Sequence, residues 1–168
     1  MIVKEIRDED FTSYKKPAMV IGFPHCSWKC GKGLCQNSPL ATAPDIELNI
    51  DDIVNRYLSN PITKAIIMAG LEPFDTPHNL INLINAIRRH TDDDIVIYTG
   101  YTKEEVKEMS YTTHYPWGKQ KWSYFGLIVK HPNIIIKFGR FIPNQQPHYD
   151  EVLGVKLASD NQYAERVS

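Results

Sequence analysis

All three cysteines of the chain lie in one short loop, Cys26-Ser27-Trp28-Lys29-Cys30-Gly31-Lys32-Gly33-Leu34-Cys35. Thiolates are ligands for iron and zinc. Three of them can hold three irons of a four-iron cluster and leave the fourth iron open to a substrate. Gly31 and Gly33 allow the backbone to bend tightly round a bound centre. Lys29 and Lys32 are expected to lower the thiolate pKa values and to offset the negative charge of a thiolate-bound cluster. A structural zinc is the rival. It needs a fourth ligand, which His25 or a distant histidine could supply, but His25 and Cys26 are awkward neighbours in one tetrahedral site and the paired Cys-x-x-Cys knuckle is absent. Inert buried thiols are the third reading, although core packing does not gather every cysteine into one Gly/Lys loop. The residues alone favour iron–sulfur chemistry. The six histidines form no His-x-x-x-His pair, and none is assigned as a ligand.

The elements that must position this loop come from an ordinary single-domain composition. The chain has 168 residues, read as one domain over 1–168. Its 19 Lys and Arg against 20 Asp and Glu leave a formal charge of −1. That balance argues against a nucleic-acid partner, which demands a surplus of cations. Apolar residues make up 42%, enough for a packed core. No run approaches the roughly 18 apolar residues of a spanning helix, and residues 1–10 are charged throughout. A soluble, cytoplasmic protein without a membrane partner is expected. An odd number of clustered cysteines also departs from a secreted disulfide scaffold.

Strand and helix signals alternate. Ala18–Phe23, Ala65–Ala69, Ile95–Tyr98 and Ile134–Phe138 are apolar runs that predict buried strands, and Val152–Leu157 predicts a last one. Helix starts are predicted at Asn49, with a carboxylate three residues on, at Thr76-Pro77, and at the capping box Thr102…Glu105. Such alternation implies βαβ units and a mainly parallel sheet, with its ligand site at the carboxyl ends of the strands. The cysteine loop, the turn Gly70-Leu71-Glu72-Pro73 and the turn Thr99-Gly100-Tyr101 each follow a predicted strand and should meet on one rim. Residues 111–126 are rich in aromatics without clear periodicity, and are expected to form an irregular excursion that docks a partner or covers the site, or else a loop whose aromatics pack back on the sheet.

These motifs, in this order, resemble the radical S-adenosylmethionine (SAM) superfamily, and more narrowly the activating proteins of anaerobic (class III) ribonucleotide reductase. The family's cysteine motif is Cys-x3-Cys-x2-Cys, whereas Cys26, Cys30 and Cys35 are spaced Cys-x3-Cys-x4-Cys, with Gln36-Asn37 following. Gly70-Leu71-Glu72-Pro73 stands where the family has Gly-Gly-Asp/Glu-Pro, with Leu71 in place of the second glycine. Asp94–Tyr101 matches a strand ending in Thr-Gly-Tyr. Gly139-Arg140-Phe141 matches Gly-Arg/Lys-Phe, and Ser159-Asp160-Asn161-Gln162 matches Ser-x-Asn-Gln.

The resemblance implies an α/β fold, an incomplete barrel-like, mainly parallel sheet flanked by helices. It implies a [4Fe–4S] cluster on Cys26, Cys30 and Cys35, with SAM as second cofactor. Reductive cleavage of SAM then serves to install a glycyl radical on a partner such as anaerobic ribonucleotide reductase, with a flavodoxin- or ferredoxin-type electron donor. By position, Glu72 is the candidate acceptor for the SAM ammonium, or else the cap of the turn before Pro73. Tyr98 and Thr99 are candidates for ribose or adenine contact, with Tyr98 equally well read as a core residue. Asn161 and Gln162 are candidates to close the site. Arg140 would bind the SAM carboxylate or the partner, or else form a surface ion pair, and Trp28 would shield the cluster. Two alternatives stay open: a radical SAM enzyme with another substrate, and a non-catalytic metal-binding interaction protein on the same scaffold.

Overall fold

The structure, a computed structural model, describes residues 1–168. The chain opens with β1 (Ile2–Val3) and β2 (Glu5–Asp10), then β3 (Ala18–Phe23), whose six residues are all buried. The cysteine loop follows, with α1 (Ser38–Thr42) and β4 (Ile46–Glu47), which pairs with β1. α2 (Ile50–Leu58) starts where Asn49 Oδ1 accepts from Asp51 N at 3.1 Å. β5 (Ala65–Gly70) leads through a tight 3-10 turn to α3 (Pro77–Arg88). Pro77 occupies the first turn as expected, but the Thr76 hydroxyl makes no cap bond and is buried without a partner. β6 (Asp94–Tyr98) is followed by α4 (Lys103–Glu108), opened by the Thr102–Glu105 capping box with both of its hydrogen bonds.

The segment expected to be irregular is regular. Residues 111–126 fall within a hairpin of β7 (Ser110–Tyr115) and β8 (Gly118–Ser123), then α5 (Tyr124–Ile128). The strands escape a search for period-2 burial because they pair only with each other and leave both faces largely in solvent. β9 (Ile134–Phe138) returns to the core. β10 (His148–Asp150) and β11 (Val155–Leu157) form a second small hairpin, so the predicted strand at 152–157 begins three residues later, after a turn. β12 (Tyr163–Arg166) closes the chain.

Six strands form one open sheet in the order β12-β9-β6-β5-β3-β2. The inner four run parallel, and β2 and β12 flank them antiparallel. The two faces carry different cover. Met19, Ile21, Ile66, Met68, Ile95, Ile97, Ile134 and Ile136 point to the side where α2 to α5 pack. Val20, Ile67, Val96 and Ile135 point to the other side, beneath Tyr14, Leu153 of the β10–β11 turn and Leu157 of β11. Alternation along each strand makes this division unavoidable, since successive side chains leave opposite faces. At the amino ends of the strands, Asp94 accepts from Tyr14 Oη (2.9 Å), Lys16 Nζ (2.5 Å) and Arg166 Nη2 (3.0 Å), which ties both edges to the centre. The carboxyl ends are left for the site.

Candidate metal centre

The cysteine loop leaves the end of β3 and is fastened to its neighbours at both ends. At its entry, Leu71 N donates to Phe23 O (3.3 Å) and Glu72 N to His25 O (2.8 Å). At its exit, Asn37 Nδ2 donates to Gly70 O (2.8 Å). Gly70 has φ +95°, and a Cβ there would lie 2.7 Å from Gly22 Cα and Phe23 N, so only glycine lets the turn lie this close to β3. Between the ends, Asp75 accepts from Ser27 N and, at 2.5 Å, from Tyr101 Oη, which also lies 3.0 Å from Ser27 Oγ. The three turns predicted to share a rim are joined there by hydrogen bonds.

Cys26, Cys30 and Cys35 are free and half-buried, and all three line one cavity of ≈ 330 Å³. Burial pushes the Cys26 thiol up to about 11, with Glu72 and Asp75 adding to the rise against the Trp28 N–H bond. Burial and then Cys35 raise Cys30. The expected lowering by Lys29 and Lys32 is therefore corrected. Lys29 Nζ lies over the Tyr101 ring at 4.6 Å and 3.9 Å from Glu105, and Lys32 Nζ lies over the Trp28 ring at 5.7 Å. Trp28 is half-buried and adopts φ 56°, an uncommon conformation for a bulky residue, and its N–H donates to Cys26 Sγ at 3.2 Å. Such N–H···S bonds tune bound iron–sulfur centres.

The donor set bears on the metal. No three Cys, His, Asp or Glu side chains converge as one bound ion requires. A cluster places its cysteine ligands on separate irons, so three thiols that line one cavity without converging on a point suit it better than a tetrahedral zinc.

The cavity lies over the non-helical face of the sheet, roofed by the β10–β11 region and by Thr12 and Ser13. Glu72 is 4% exposed. Its carboxylate accepts from Phe74 N (3.1 Å), Thr99 Oγ1 (2.8 Å) and Gly100 N (2.8 Å), so it caps the turn and clamps it to the end of β6. Burial still pushes it up to about 7, against those hydrogen bonds. Thr99 is buried, with its hydroxyl committed to Glu72. Tyr98 lines the cavity with its ring, while its hydroxyl donates to Ser13 O at 2.5 Å. Leu71 is half-buried in the cavity wall.

Asn161 is exposed, lies outside the main cavity and donates to Arg140 O (2.9 Å). Gln162 does reach the cavity. It accepts from Ala158 N and Ser159 N and donates to Gly139 O (3.3 Å), closing the C-terminal turn on the end of β9. Arg140 takes the ion-pair role, with Nη2 at 2.6 and 2.9 Å from the two Glu105 oxygens. Two features escaped the sequence reading. One is the roof, for which no local signal exists. The other is Lys137, a buried cation in the cavity wall, visible in the sequence only as a lysine inside the apolar run Ile134–Phe138.

A model of the family of 4Fe-4S single cluster domains matches residues 19–132. The match takes in all three cysteines, both rim turns after β5 and β6, and the β7–β8 hairpin. No curated protein matches, and no solved structure does.

Proposed function

We propose, on the premise that this chain belongs to the family of 4Fe-4S single cluster domains, that it is a radical SAM activase acting on a protein partner. In this reading Cys26, Cys30 and Cys35 hold the [4Fe–4S] cluster. SAM occupies the same cavity that the thiols line, and the open sheet is a small, incomplete version of the radical SAM barrel. The observation that carries the reading is that the three thiols share one ≈ 330 Å³ cavity with the ends of three parallel strands. That volume is within the usual range for small-ligand sites.

When bound, such a cluster supplies one electron, taken from a flavodoxin- or ferredoxin-type donor, that splits SAM into methionine and a 5′-deoxyadenosyl radical able to take hydrogen from a glycine of the partner. The chain's own residues have positioning tasks. The Glu72 carboxylate, oriented by Thr99 and Gly100, offers an acceptor to the SAM ammonium. The Tyr98 ring gives the nucleoside an apolar wall, since its hydroxyl is already engaged. Thr12 and Ser13 overhang the site and, with the β10–β11 region, exclude water. The partner, a glycyl-radical enzyme such as anaerobic ribonucleotide reductase, would complete the open side of the cavity.

Leu71 favours a second reading. It stands in the cavity wall, at the position where the radical SAM pattern that the sequence resembles has glycine, as expected of an iron–sulfur interaction protein that does not cleave SAM. Anaerobic reconstitution with iron and sulfide, followed by SAM and dithionite, separates the two. The proposal expects 5′-deoxyadenosine from the parent protein and none from Cys35→Ala. A stable four-iron cluster without product would leave the second reading, and failure to take up iron would overturn both.

A further inference from the structure

We infer that Lys137 is the anion anchor of the cavity and binds the carboxylate of the ligand's amino-acid end. The inference rests on the reading of this cavity as the SAM site.

Lys137 is the fourth residue of β9, and strand alternation sends it to the same face as Ile135, away from Ile134, Ile136 and Phe138. That face carries the cavity. Lys137 is 7% exposed, yet its Nζ donates a single hydrogen bond, to Gly139 O at 2.7 Å. No carboxylate lies within ion-pair distance, so two of its three donors have no protein acceptor. A buried cation left unpaired is costly, and it persists where a ligand supplies the missing charge.

The other cations of the cavity wall are accounted for. Arg140 is held by both oxygens of Glu105, Lys29 sits between Glu105 and the Tyr101 ring, and Lys156 is exposed to solvent. The role that the sequence offered to Arg140 therefore falls to Lys137. Glu72 is the complementary group. Both residues line the one cavity, yet they make no ion pair. An acid and a base that face one cavity without touching can receive the two ends of a zwitterion, ammonium at Glu72 and carboxylate at Lys137.

The test measures binding to the anaerobically reconstituted protein with its cluster left unreduced, so no turnover intervenes. Equilibrium dissociation constants are taken for SAM and for decarboxylated SAM, with the parent protein and Lys137→Met. A charge-assisted hydrogen bond is worth about 1.5–3 kcal/mol, which is roughly a 10- to 100-fold loss of SAM affinity in the variant. Decarboxylated SAM should bind both proteins equally, which also shows that the variant is folded. Unchanged SAM affinity in Lys137→Met, or equal loss of both ligands, overturns the anchor while the SAM site stands. If the parent protein binds neither ligand, the SAM reading itself fails and the inference falls with it.

Discussion

The side-chain amide of Asn37 donates a 2.8 Å hydrogen bond to the main-chain carbonyl of Gly70, fixing the exit of the cysteine loop to the turn that follows β5. The same turn fixes the loop's entry through Glu72 N and His25 O. The spacing of the three thiols is thus set by a turn more than thirty residues away from them. Asn37→Ala removes one exposed bond and should cost about 0.5–1.5 kcal/mol of stability. Its larger effect should fall on the cluster, as faster iron loss to a chelator. Iron release at the parent rate would show that the fastening is incidental.

Gly70 is the point on which that arrangement turns. Gly70→Ala must place a Cβ at 2.7 Å from β3 backbone atoms with φ at +95°. Backbone strain of this kind costs roughly 1–3 kcal/mol before any clash is counted. Urea unfolding should show at least that loss. A change within about 0.5 kcal/mol, typical of neutral surface positions, would contradict the packing described.

Lys137 gives a pH signature in the ligand-free chain. Burial lowers its pKa from 10.5 to about 8, so the folded state disfavours the charged form. The stability cost is absent above about pH 10.5, grows as the pH falls, and is complete below about pH 8, where it amounts to roughly 3 kcal/mol. Lys137→Met should therefore be more stable than the parent at pH 7, by up to that amount, with the advantage gone by pH 10.5. Gly139 O keeps a donor in Gln162 Nε2 (3.3 Å). Paired denaturation curves at the two pH values test this, and a difference independent of pH would refute it.

The β7–β8 hairpin carries Trp117, 83% exposed and stacked on Tyr115 at 5.2 Å. Its base is anchored by Tyr111 and Tyr124 against His78 on the first turn of α3, close in sequence to Asp75, which holds the cysteine loop. An aromatic pair held out in solvent suits a partner surface. Trp117→Ala should leave stability within about 0.5 kcal/mol; under the proposed activase function it should also leave partner-free 5′-deoxyadenosine formation unchanged while activation of the protein partner falls several-fold. Unimpaired activation would remove the hairpin from the interface.

Much of the scaffold is legible in the sequence. The inner strands announced themselves as apolar runs, the Thr102–Glu105 capping box opened α4, and the order of the three rim turns followed from the βαβ pattern. The edge strands did not. β2 reads Glu-Ile-Arg-Asp-Glu-Asp and β12 reads Tyr-Ala-Glu-Arg, because an edge is half in solvent and tolerates charge. The β7–β8 ribbon was missed for the same reason.

The sequence by itself determined the inner strands, the helix starts that carry capping signals, and the placing of all three thiols in one loop. Such signals are carried by contiguous residues, through side-chain period, capping and turn chemistry. Only the tertiary structure decided the state of the charged groups. Arg140 is spent on Glu105, Glu72 is buried between Phe74, Thr99 and Gly100, and Lys137 is buried without a counter-ion. A charge's energy depends on its burial and on groups tens of residues away. Local sequence does not encode those distances, and folding the sheet sets them.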